Sequence, residues 1–143
     1  MTKSNPLTDE IMKFYKKKGV GAFFSVDFLE KKNEEFYFTV NFPRESLNPQ
    51  GRVQGGMITS VLDDCTALCV LLSTLGKRFP NSTDLHTTFH RPLLIEPTTI
   101  RTKILKMGKN IVSVEGKIFN QEEKIVASCL HTGFLFDTHG MKK

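Results

Sequence analysis

Residues 48 to 64, Asn-Pro-Gln-Gly-Arg-Val-Gln-Gly-Gly-Met-Ile-Thr-Ser-Val-Leu-Asp-Asp, join a glycine-rich turn to an apolar helical segment that contains two acids. Gly55-Gly56 removes side chains from the start of that helix, so its first amides can approach a ligand oxygen closely. Their unsatisfied donors and the helix dipole favour negative charge there. That is the geometry of an oxyanion hole. About two turns further on, Asp63 and Asp64 interrupt Met57, Ile58, Val61, Leu62, Cys65, Leu68 and Cys69. Asp is a weak helix former and is rarely buried unpaired, so a carboxylate here needs a reason.

Projection at about 100° per residue separates the two acids. With Met57 at zero, Met57, Ile58, Val61, Leu62, Cys65, Leu68, Cys69 and Leu72 fall between roughly 0° and 140°, a core-facing stripe. Asp63 projects at about 240°, mid-way along the opposite stripe of Thr59, Ser60, Thr66, Ala67 and Val70, and Asp64 at about 340°, on its edge. Apart from the acids, that stripe carries no Lys, Glu or Arg. Its small side chains point to a close neighbour, either another backbone or a ligand. Asp63 is therefore the candidate for chemistry, against the plainer reading in which both acids sit on a wet helix face.

Asn48, Gly51, Gly55-Gly56 and Asp63 fit an N-x-x-G-x-x-x-G-G pattern followed by a helical acid. In this the chain resembles the hotdog-fold acyl-CoA thioesterases of the PaaI-like and 4-hydroxybenzoyl-CoA thioesterase superfamily. The resemblance extends over nearly the whole chain, because Asp84-Leu85-His86-Thr87-Thr88-Phe89-His90-Arg91-Pro92 is similar to the family's strand after the helix. One departure stands out: many members carry His immediately before Gly-Gly, where this chain has Gln54. A Gln amide also donates a hydrogen bond.

The resemblance implies an α+β architecture, an antiparallel sheet wrapped around one long helix. It also implies subunits paired edge to edge, often dimers doubled into tetramers, with acyl-CoA bound at the subunit boundary. In this reading the Gly55 amide holds the oxyanion, with Gln54 donating beside it, and Asp63 acts as base or nucleophile. Asn48 matches a position that helps place water or substrate; alternatively it is a turn residue before Pro49. Ser82 or Thr83 lies where relatives place a hydroxyl reaching Asp63 of the other subunit, or is simply a hydroxyl at the start of a strand. Gly56 joins them as a substrate contact. Arg91 is either a contact for a CoA phosphate or a solvated strand-end side chain. No cofactor or metal is implied.

Length and composition suit one domain spanning 1–143. A chain of 143 residues with 39% hydrophobic content buries one core and is too short for two ordinary domains. The net charge of +5 is modest and scattered, which argues against nucleic acid and suits attraction of a polyphosphate such as coenzyme A. Three Cys make a disulfide framework unexpected, and Cys65 and Cys69 read as small buried hydrophobes. The first residues lack an apolar signal core and no stretch approaches a membrane span, so a cytoplasmic setting is expected. His86, His90 and His131 lack a companion carboxylate or Cys pattern and read as ordinary satisfied histidines.

The elements that must position these groups run helix, two strands, helix, four strands. Leu7, Ile11, Met12 and Tyr15 share one side of a short amphipathic helix stopped by Gly19. Strands are expected over 23–29 and 35–42, with a hairpin at Glu30-Lys31-Lys32-Asn33. Gly76 to Asn81 reads as a break because of Pro80, and strands follow over 83–90, 98–107, 111–119 and 124–136.

Two other functions compete: a non-catalytic acyl-CoA binding or sensing module, and a dehydratase or hydratase. The second normally requires a His in the helix region, which this helix lacks.

Overall fold

A computed structural model of the chain describes residues 5–138. Helix α1 (Pro6–Tyr15) starts where Asn5 caps it, its side chain accepting from the Thr8 amide at 2.8 Å, with Pro6 in the first turn. Its buried side is Ile11 and Met12. Gly19, at φ 69°, then turns the chain into a short helix α2 (Val20–Phe24).

That helical turn replaces the start of the strand expected from Phe23, so β1 spans Asp27–Lys32 instead. Helical placement puts Phe24 fully inside, with its ring edge-on to those of Phe23 and Phe42 at 5.0 and 5.6 Å. Tertiary packing has outweighed β propensity here. The hairpin also shifts from its expected position. It turns at Asn33 and Glu34, both with positive φ, into β2 (Glu35–Val40). Along β2, Phe36, Phe38 and Val40 alternate inward, as a half-buried strand requires.

The long helix α3 (Gly55–Ser73) follows, then β3 (Arg78–Phe89), β4 (Thr98–Met107), β5 (Ile111–Phe119) and β6 (Ile125–Asp137). All six strands form one antiparallel sheet in the order β1-β2-β4-β5-β6-β3, and α3 packs against β3, β4, β5 and β6. This is the hotdog architecture. Strand β3 starts inside the expected break, at Arg78, and runs straight through Pro80. With β1 it is one of the two edge strands, and a proline, which has no N–H to donate, is tolerated at a sheet edge.

By length and composition α3 could cross a bilayer, with a mean hydropathy of 1.5, contrary to the sequence expectation of no such stretch; 61% of that stretch is buried inside the fold. Its second stripe is not a solvated face. Thr66, Ala67 and Val70 are buried, and the Thr59 hydroxyl donates to that of Thr87 on β3 at 3.2 Å. The close neighbour that the small residues call for is therefore, in large part, this chain's own β3 and β6. Cys65, Cys69 and Cys129 are free and buried.

Candidate active site

Two clusters flank α3. The first lies at its N-terminus, where Gln54 is the residue before the helix in extended conformation and its carbonyl accepts the Met57 and Ile58 amides at 2.9 and 3.1 Å. The exposed Gln54 side chain makes no capping bond. Among the described residues the Gly55 and Gly56 amides have no backbone acceptor, as the first turn of a helix leaves them. Phe89, at the far end of β3 and half exposed, lies across this spot: a Cβ on Gly55 would stand 3.2 Å from its ring. Gly56 faces open space.

Asn48 is the turn residue that one sequence reading allowed, because its Oδ1 accepts the Gln50 and Arg52 amides at 3.0 and 3.1 Å. The amide nitrogen of that side chain, having no partner among the described residues, remains able to donate. Arg91 donates through Nη1 to the Ile125 carbonyl, which anchors it beside β6.

The second cluster sits about two turns along α3. The Asp63 side chain is 44% exposed, so a ligand can reach it. Ser82 Oγ lies 3.5 Å from Asp63 Oδ1 and 2.6 Å from His131 Nε2, and His131 Nδ1 lies 2.6 Å from Thr66 Oγ1. His131 Nε2 is 3.6 Å from Asp63 Oδ1, too far for a hydrogen bond. Burial holds the imidazole below its ordinary pKa range, opposed by the charges of Asp63 and Asp84, so at neutral pH this contact is not an ion pair.

The structure changes two sequence expectations here. Ser82 reaches Asp63 of its own chain, because β3 is hydrogen-bonded to β6 alongside α3. A bulge between Ser82 and Asp84 turns Thr83 elsewhere, its hydroxyl donating to the Thr132 carbonyl at 3.2 Å. And His131 does have a companion carboxylate. The sign of it in the sequence was position: Cys129, His131, Gly133 and Leu135 alternate on the buried face of β6. Phe89 left no such sign.

Asp64 has a different fate from its neighbour. It lies under α1, where the Tyr15 hydroxyl donates to Oδ2. Burial pushes its carboxyl up to about 6, opposed by the Tyr15 hydrogen bond and reinforced by the Asp63 charge. The two acids thus divide as their projection onto the helix indicated, Asp63 at the open site and Asp64 in a structural contact.

A family model described as the thioesterase superfamily matches residues 50–127. No curated protein matches the sequence. Solved structures share the fold at low identity. A thioesterase from Haemophilus influenzae is 16% identical with a TM-score of 0.82, covering 94% of this chain and 93% of its own. The Escherichia coli PaaI protein from the phenylacetic acid degradation operon is 17% identical with a TM-score of 0.76, covering 94% of each chain. A hypothetical thioesterase from Streptococcus pneumoniae, solved with coenzyme A, is 19% identical with a TM-score of 0.75, covering 88% of this chain and 97% of its own.

Proposed function

The chain belongs to the thioesterase superfamily, and on that premise we propose that it hydrolyses acyl-CoA thioesters to the free acid and coenzyme A. The observation that carries this reading is the half-exposed carboxylate of Asp63 beside the Ser82 hydroxyl, on a helix whose Gly55 and Gly56 amides have no backbone acceptor among the described residues. The Streptococcus pneumoniae relative bound to coenzyme A supports the choice of substrate class.

Asp63 acts as general base. It takes a proton from water as the water oxygen bonds to the thioester carbon, and the carbonyl electrons move onto oxygen. The Gly55 amide and the α3 dipole stabilise that oxygen, with Gln54 and the Asn48 amide as further donors. Collapse breaks the C–S bond, and the departing thiolate takes the proton from Asp63.

Gly55 and Asp63 are eight residues apart, about 12 Å along the helix and roughly 80° round it, so one chain does not bring both to a single carbonyl. Two copies do. Leu85 and His86 lie midway between Ser82 and Phe89 on exposed β3. Antiparallel pairing of two β3 edges about that middle sets Asp63 and Ser82 of one copy beside Gly55 and Phe89 of the other. It also covers residues 82–89 of an open edge.

The test is a hydrolysis screen over short, medium, long and aryl acyl-CoAs, with light scattering on the same sample. Turnover by a dimer or tetramer supports the reading. Binding without turnover favours the non-catalytic module, and an active monomer contradicts the shared site.

A further inference from the structure

Thr66 is buried on α3, with Oγ1 2.8 Å from the Leu62 carbonyl, 3.0 Å from the Asp63 carbonyl and 2.6 Å from His131 Nδ1. A hydroxyl has one proton. Sent to Nδ1, that proton would leave two carbonyl oxygens facing the Oγ1 lone pairs with nothing between them. Shared between the two carbonyls, towards which a helical Thr commonly turns it, it leaves Oγ1 free to accept, and every contact is satisfied provided Nδ1 is protonated and donates to Oγ1. The rotamer is held as well: Thr66 Cγ2 packs so close to Gly116 that a Cβ there would stand 3.0 Å from it. His131 is buried and neutral, so it carries a single ring proton. With that proton on Nδ1, Nε2 is an acceptor and the Ser82 hydroxyl, 2.6 Å away, is its donor.

We propose that Thr66 is a positioning residue: it fixes the His131 tautomer, which draws the Ser82 proton onto Nε2 and leaves Ser82 Oγ as an acceptor beside Asp63. Two acceptors 3.5 Å apart then face the site. A water between them gives one proton to each and turns its remaining lone pairs towards the thioester carbon. The opposite tautomer would aim the Ser82 proton at Asp63 and remove one acceptor. What the water attacks rests on the thioester reading given above; the tautomer does not.

The experiment combines ¹⁵N NMR of the His131 ring, assigned by its loss in His131→Gln, with hydrolysis kinetics of Thr66→Val and Thr66→Ser. The wild-type ring should be protonated at Nδ1 and bare at Nε2. Thr66→Val should lose that preference and on the order of 10- to 100-fold in kcat with KM little changed, and Thr66→Ser should restore both. Protonation at Nε2 in the wild type overturns the proposal, and this alone decides should Thr66→Val not fold. Unchanged kcat in folded Thr66→Val overturns it too, as does an acyl group trapped on Ser82, which would then attack in place of water. A wild type that hydrolyses no thioester defeats the functional reading and the water's role, while the ring resonances still decide the tautomer.

Discussion

The Tyr15 hydroxyl donates to Asp64 Oδ2 across 49 residues of sequence, fastening α1 to the central helix one position beyond the acid proposed for catalysis. Burial raises the pKa of both partners, and the Asp64 carboxyl reaches about 6. The folded chain therefore holds the Asp64 proton more tightly than the unfolded chain, whose Asp titrates near its reference of about 3.9. This contribution to stability is fully present below about pH 4 and declines as pH rises to about 6.

Asp64→Asn keeps an acceptor for Tyr15 and removes the titration. Relative to wild type, the variant should gain stability progressively between pH 4 and 6, on the order of 1–2 kcal/mol after discounting for the part of the carboxylate that solvent reaches. Thermal melts of both proteins across that range check it. Parallel curves would mean that Asp64 does not titrate there.

Gly133 pairs with Ser82 across β6 and β3, and a Cβ on it would stand 2.7 Å from Pro80 Cβ and 3.1 Å from the Asn81 carbonyl oxygen. Neither neighbour is the end of a flexible side chain. Gly133→Ala should push β3 outward, cost roughly 1–3 kcal/mol in denaturant unfolding, and lower activity by displacing Ser82 from Asp63. Wild-type stability in this variant would show that β3 is held less firmly than its pairing indicates.

The sequence made the fold legible wherever local pattern and tertiary packing agree: β4 and β5 begin and end where alternation and turn residues place them. It misled where packing or sheet position decides. Phe24 enters the core from a helical turn, and Pro80 sits in a strand because that strand is an edge. At the site, the separation of Asp63 from Asp64 followed from helix geometry alone. Thr66 and His131 could not be paired in the same way, because their contact spans 65 residues and depends on how β6 lies against α3.

Gln54, where many of the family carry His, is exposed and uncommitted to capping, which leaves its amide available to a thioester oxygen. Removing that donor should lower kcat more than it raises KM, because the bond strengthens as charge develops on oxygen. Gln54→Ala is expected to lose on the order of 100-fold at most in turnover, and Gln54→His to retain or raise it. Should Ala match wild type, the oxyanion is held without Gln54.

Asp63→Asn isolates the central claim, since it keeps the shape of the side chain and one acceptor oxygen while removing the negative charge and with it the base. Steady-state hydrolysis of the best acyl-CoA from the screen is measured for wild type and Asp63→Asn at matched oligomeric state, with Asp64→Asn alongside. Asp63→Asn should fold and associate as wild type does and lose at least roughly 100-fold in kcat, while Asp64→Asn loses far less. Equal losses in the two variants, or wild-type turnover in Asp63→Asn, would contradict it.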